Sequence, residues 1–202
     1  MIRLAVLSQT TSPLPAALER ELAGIDGILH AGGLGPVRHL ERLARIAPLV
    51  AVVGARDFLC YSGRYPELCE LQLGGARVLI THLIGSPPRL LEPVRRRLEN
   101  DPPDLLVHGQ PAAPQIVWVG RSLIVCPGRA SVGQAGPDGA GGSYALVEID
   151  GPGALRARIR ALDPPPRPRP IGWRWGLAGA AARLHGAAAL LDGSRVGPDA
   201  ES

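Results

Sequence analysis

The sequence predicts an α/β fold, and three observations carry that prediction. In the first fifty-odd residues, short apolar runs alternate with stretches whose leucines recur at helical spacing. Further along, Gly74-Gly75 and Gly120-Arg121 each separate two strand-like runs, the pattern of hairpins. The chain has 202 residues, 46% hydrophobic and 20% charged, which is enough for one domain with a sizeable core and too short for two full ones. That apolar content also excludes disorder along the whole chain.

Taken in order, Ile2–Leu7 reads as a buried strand. After Ser12-Pro13, Leu14, Leu18 and Leu22 trace a helical pattern. Gly27–His30 is a second strand, running into Ala31-Gly32-Gly33. Val37, Leu40, Leu43 and Ile46 mark a helix, and residues 49–53 a third strand ending at Gly54. Strand–helix–strand–helix–strand with short connections implies parallel strands joined by right-handed crossovers. Leu68–Leu73 and residues 77–81 form the first expected hairpin, residues 87–98 a helix and residues 104–108 a strand. Gln115–Val119 and residues 122–125 form the second hairpin. A glycine-rich loop is expected over 128–142, then final strands over 144–149 and 155–162.

Residues 163–170, with Pro164-Pro165-Pro166-Arg167-Pro168-Arg169-Pro170, predict an extended polyproline-like linker, read as a spacer. Beyond it, Leu177, Ala181, Leu184, Ala188 and Leu191 predict an amphipathic C-terminal helix and tail over 171–202. Its narrow apolar stripe is suited to docking on its own domain, on a partner protein or on a membrane surface.

The formal net charge is +4, and all 22 basic residues are arginine, which looks like the coding bias of a GC-rich genome. Arginine clustering is therefore weak evidence for nucleic acid, and seven aromatics are too few for a base-stacking surface. Arg95-Arg96-Arg97 falls in an expected helix, where three consecutive side chains fan around about 300° and cannot form one groove-facing stripe. No nucleic-acid partner is expected. Cys60, Cys69 and Cys126 form no CxxC pair and leave an odd count, against a zinc knuckle or a disulfide framework. Ile2–Leu7 is too short for a secretory leader, and no apolar run reaches the ~20 residues of a transmembrane segment. A cytoplasmic location is the expectation.

Six short segments then fall, in order, at the tips of expected strands. They are Ser8-Gln9-Thr10-Thr11, His30-Ala31-Gly32-Gly33-Leu34-Gly35, Val53-Gly54-Ala55-Arg56-Asp57, Thr81-His82, Gly109-Gln110-Pro111-Ala112-Ala113-Pro114 and Cys126-Pro127-Gly128. Over residues 1–162 this series resembles the small calcineurin-like metallophosphoesterases, a group that includes bacterial phosphodiesterases and a eukaryotic retromer subunit. The resemblance implies a two-layer β-sandwich flanked by helices (αββα). It also implies two divalent ions such as Mn²⁺ in loops at the strand ends, with a bridging hydroxide that attacks phosphorus. Two such ions need a bridging carboxylate between them to offset their repulsion.

Carried over by position, the ligand set is degenerate. Gln9 and Thr11 stand where the family has Asp and His. Gly33 replaces the bridging Asp, Ala55 the Asn, and Gln110 and Ala112 two histidines; His82 alone retains a family ligand. Neutral oxygens are poor transition-metal ligands without a carboxylate or imidazole beside them, so no resident metal cofactor is expected. Asp57 is expected to support its loop, His30 and His108 to pack or cap, Cys126 to pack, and His82 to remain as a pocket residue. Ser8, His82 and Asp57 have the residue types of a hydrolase triad, but no nucleophile-elbow glycine pattern surrounds Ser8. The expected function is a catalytically degenerate protein-binding or scaffold module, its partner unnamed by the sequence. The alternatives are a phosphate or nucleotide binder using Arg56, Arg129 and His82 without hydrolysis, and a divergent metal-dependent phosphodiesterase with a residual site at His82.

Overall fold

The structure is a computed structural model and describes residues 1–11, 13–15, 18–61, 63–86, 89–111, 113–130 and 142–162. The expected linker 163–170, the expected helix and tail 171–202, residues 131–141 of the expected glycine-rich loop and the expected ligand position Ala112 lie outside the described residues.

Apolar residues alternate or run continuously through β1 (Ile2–Leu7), β2 (Gly27–Ala31) and β3 (Leu49–Val52), which lie parallel. Antiparallel β11 (Ser143–Gly151) and β12 (Ala154–Ala161) extend that sheet, giving the order β12-β11-β1-β2-β3. The second sheet holds β4 (Leu68–Leu73), β5 (Ala76–Thr81), β8 (Leu105–His108), β9 (Gln115–Val119) and β10 (Ser122–Cys126), in the order β4-β5-β8-β10-β9. Here β5, β8 and β10 are parallel, with the edges β4 and β9 antiparallel. Inward residues of both sheets, among them Leu4, Val6, Leu29, Val78, Ile80, Leu105, Val107 and Leu123, form the central core. Each fully buried leucine there contributes about 2 kcal/mol.

Helices cover the outer faces. Leu43 of α2 (Val37–Ile46) packs with Leu14, Leu18 and Leu22 outside the first sheet. Val94 of α4 (Glu92–Asn100) packs on Leu79, Leu106 and Ile124 outside the second. The layers are therefore helix, sheet, sheet, helix, the two-layer sandwich that the sequence resemblance implied.

Two helix expectations need correction. Among the described residues, the pattern through Leu14, Leu18 and Leu22 yields a single turn, α1 (Leu18–Glu21). Pro13 and Pro15 precede it and offer no N–H to a helix ladder, while the three leucines are buried all the same. The helix expected over 87–98 begins only at Glu92, because β6 (Gly85–Ser86) and β7 (Arg89–Leu90) pair across Pro87-Pro88. Pro93 stands in the first turn of α4, where its missing N–H costs nothing. A further turn, α3 (Phe58–Tyr61), was not anticipated. The arginine run on α4 is matched by carboxylates: Arg95 pairs with Glu92 and Glu99, Arg96 with Glu92 and Arg97 with Glu70.

Candidate functional site

The carboxyl ends of the parallel strands in both sheets converge on one edge, where open α/β sheets place their ligands. Hydrogen bonds knit the loops there across the sandwich. Ser8 donates its hydroxyl to Gly128 O at 2.7 Å, and Gln9 donates its side-chain amide to Gly109 O at 2.9 Å. Gly109 N–H donates to His82 O at 3.0 Å. His82 Nδ1 in turn donates to Ala31 O at 2.7 Å, which ties the second sheet to the first.

His82 is buried, and the residues around its ring are glycines for a steric reason. A methyl group built at Gly32 or at Gly109 would lie 2.6 Å from His82 Nδ1, and one at Gly54 would lie 2.7 Å from Nε2. Three loops thus give up their side chains where one imidazole packs, and at Gly109 the Ala31 carbonyl oxygen, closer still to such a methyl group, excludes it as well. In the sequence these glycines fall at the tips of expected strands; their role as a cradle emerges only when the three strand ends meet.

The other expected ligand positions offer little to coordinate with. Gly33 has no side chain, its φ is +69°, and a Cβ there would sit 2.9 Å from Gln9 Cα. Gln9 itself adopts φ 52°, the left-handed region, with its amide turned to Gly109. Thr11, Ala55 and Gln110 are exposed. Asp57 is buried and accepts N–H bonds from Gly33 at 2.8 Å and Gly54 at 2.7 Å, so its carboxylate supports two loops, as expected. Among the described residues, no three His, Cys, Asp or Glu side chains converge to hold a metal ion. The residue types of a triad do not assemble either: Ser8, His82 and Asp57 direct their hydrogen bonds to different backbone groups.

His30 and His108 pack, in line with the sequence. Thr10 Oγ1 accepts Gly35 N–H at 3.2 Å and lies 3.0 Å from His30 Nε2, which leaves His30 Nδ1 without a partner in the interior. Burial, with the neighbouring His82 adding to it, lowers the His30 pKa to about 3. His108 Nδ1 donates to Gln110 O at 2.6 Å, and its Nε2 is buried and unpartnered. Its pKa is lowered mainly by burial, against the opposing pull of the Gln110 carbonyl. Cys126 is buried with Sγ 3.1 Å from Pro111 O, and burial raises its pKa. Of the expected anion-binding residues, Arg56 is exposed on the turn after β3 and Arg129 is half-buried beside the start of β11. They stand on different loops.

Next to His82 lies a feature the sequence did not flag, a groove of about 490 Å³ between the β3 turn and α4. Val53, Phe58, Leu68, Leu83, Leu91 and Val94 make it apolar, and Glu67 is the one charged residue among its lining. Phe58 and Leu91 are about half exposed, and Leu59 beside Phe58 is 98% exposed. The apolar pair Phe58-Leu59 directly after Asp57, just past the end of the third strand, was the available sequence signal.

Architecture and site position together define a metallophosphoesterase-type sandwich. Residues 2–151 match the calcineurin-like phosphoesterase superfamily domain, and the chain belongs to that family. No curated protein matches it in sequence. It is similar in structure to a conserved protein of Streptococcus pneumoniae described as a predicted phosphoesterase, at 22% identity and TM-score 0.59, over 83% of this chain and 93% of that one. It is also similar to the vacuolar protein sorting protein Vps29 of Chaetomium thermophilum in complex with a cyclic peptide (15% identity, TM-score 0.60, 80% of this chain and 95% of that one). A third similar structure is wild-type Vps29 of Entamoeba histolytica complexed with Zn²⁺, at 16% identity and TM-score 0.57, over 80% of this chain and 100% of that one. Among the described residues no helix is long and apolar enough to cross a membrane.

Proposed function

We propose that this chain is a metal-free member of its family that acts by binding a protein partner, with the apolar groove beside His82 as the docking surface. One observation carries the proposal. Among the described residues, no expected ligand position except His82 carries a carboxylate or an imidazole, Gln9 is turned to Gly109, and the His82 imidazole is packed among Gly32, Gly54 and Gly109. A dinuclear centre needs a bridging carboxylate, and Gly33 stands at that position with its surroundings already filled by Gln9. The donors present do not fit two divalent ions, so no hydrolytic step is assigned. Exposed Phe58, Leu59 and Leu91 around a groove are the type of surface that proteins reserve for partners. A relative of the same fold, the Chaetomium protein, has been seen with a bound peptide.

The test is capture of binding proteins from the source cells, then purification of the captured protein and titration with wild type and with Leu91→Glu. Binding weakened at least tenfold by the substitution, with the melting temperature held, supports the groove. Equal affinity of the two proteins refutes it.

A second reading rests on exposed Arg56 next to Ala55, which lines the groove. Guanidinium forks bind phosphate without metal, and Arg129 and His82 would complete the set. A phosphate-dependent rise in melting temperature, lost in Arg56→Ala, would favour this reading; no phosphate effect would eliminate it.

A further inference from the structure

The two sheets end on the same side of the sandwich in edge strands that are treated very differently. An open edge is a template for pairing with another chain, and soluble proteins protect it with charge, proline, bulges or a cover. On β12, Arg156, Arg158 and Arg160 stand at every second position and are exposed. On β9 the sequence is Gln115-Ile116-Val117-Trp118-Val119, without one charge or proline. Among the described residues β10 is its one neighbour. Val117, Trp118 and Val119 are 37%, 50% and 48% exposed. Ile116 reaches the central core, and Trp118, two residues on, lines a cleft of about 420 Å³ at the seam with β12.

We propose that β9 is a self-association edge, and that its occupant is β9 of a second copy of this chain, paired antiparallel about a twofold axis at Val117. The register follows from the hairpin. Val119 and Ser122 flank the two-residue turn Gly120-Arg121, in which Gly120 has φ +58° and Arg121 is not positive, the type II′ arrangement. The residues flanking such a turn form a hydrogen-bonded pair, and the pairs alternate along the ladder. Val119, Val117 and Gln115 therefore direct their N–H and C=O groups toward β10, and Ile116 and Trp118 direct theirs to the free edge. Centring the axis on Val117 sets Ile116 opposite Trp118 of the second copy, twice, so every edge-facing backbone group of these two residues is matched. It also makes the inward pair aromatic against β-branched, a favoured cross-strand combination. Val117 meets itself, and Gln115 meets Val119.

Charge agrees with this choice of occupant. Along β9 no like charges are opposed in the self-paired register, and Arg156 and Arg158, which line the cleft beside Trp118, are paired with Asp150 and Glu148, whereas self-pairing of β12 would set its arginine rows against each other. The area limits its strength. Half of a tryptophan and less than half of two valines come to roughly 250 Å² of side-chain surface per copy, well under the ~800 Å² per partner of a stable complex. The dimer is thus weak and reversible, populated only at high protein concentration.

Sedimentation velocity of the full chain from about 1 to 500 μM should show a monomer shifting to a dimer, and Val117→Lys should hold it monomeric across the range. A second variant guards against misfolding of the first. In a Cys60→Ser background, which removes the exposed native thiol, Val117→Cys should form an intermolecular disulfide on mild oxidation. The twofold places the two residues 117 as a close, non-hydrogen-bonded pair about 4.5 Å apart at Cα, within disulfide reach. Val119→Cys, facing Gln115 instead, should cross-link at least tenfold more slowly. A chain monomeric at 500 μM overturns the proposal. So does a dimer that Val117→Lys leaves intact, or equal cross-linking at 117 and 119.

Discussion

Replacing His30 by Gln should flatten the acid branch of the stability profile. In the native protein His30 is buried, its Nδ1 has no partner, and its pKa lies at about 3; in the unfolded chain it returns to about 6.5. Between those values the unfolded chain binds a proton that the native state refuses. Stability therefore rises with pH across that window, is fully present above about 6.5, and is lost as the pH falls toward 3. Integrated from pH 7 to pH 5, the linkage amounts to about 2 kcal/mol for this single group. His108, whose pKa is also lowered by burial, adds a loss of the same sign. His30→Gln removes one titrating group but also alters the contact with Thr10, so the quantity to read is each protein's own difference between pH 7 and pH 5. Urea unfolding followed by far-UV circular dichroism supplies it. Wild type should lose about 2 kcal/mol more than the variant; losses equal within about 0.5 kcal/mol would refute the buried neutral imidazole.

Further predictions concern the loops around His82. Gly54→Ala places a methyl group 2.7 Å from His82 Nε2, so the ring must shift against its bond to Ala31, and denaturant unfolding should show a loss of about 1–3 kcal/mol. Asp57→Ala removes the acceptor of two N–H bonds in a buried turn and should cost about 3 kcal/mol, with faster amide exchange at Gly33 and Gly54. Gly33→Asp restores the bridging carboxylate type at a residue with φ +69° that is crowded by Gln9. It should lower the melting temperature and leave Mn²⁺ unbound in calorimetry.

The fold was largely legible because the sequence signals were local. Parallel β1, β2 and β3 follow from buried runs separated by helical spacing, and the hairpins from Gly74-Gly75 and Gly120-Arg121. Helix boundaries failed where proline and short-range pairing compete with leucine spacing, at Pro13 and Pro15 and again across Pro87-Pro88. The expected ligand positions were read one by one along the chain from the family resemblance. What their loss makes room for could not, because the cradle around His82 joins Gly32, Gly54 and Gly109 from three loops. The groove likewise draws on residues from Val53 to Val94, and no spacing rule links them. The exposure of β9 was hidden for a related reason. Ile116-Val117-Trp118-Val119 reads like any buried strand until the sheet order places it at an edge.

The most direct test of the metal-free assignment is calorimetric titration of Mn²⁺ into the purified, chelator-treated protein. The degenerate ligand set predicts no binding up to about millimolar metal, since one imidazole among neutral oxygens holds such ions poorly. Two equivalents bound at micromolar affinity would contradict it and return the chain to the hydrolases of its family.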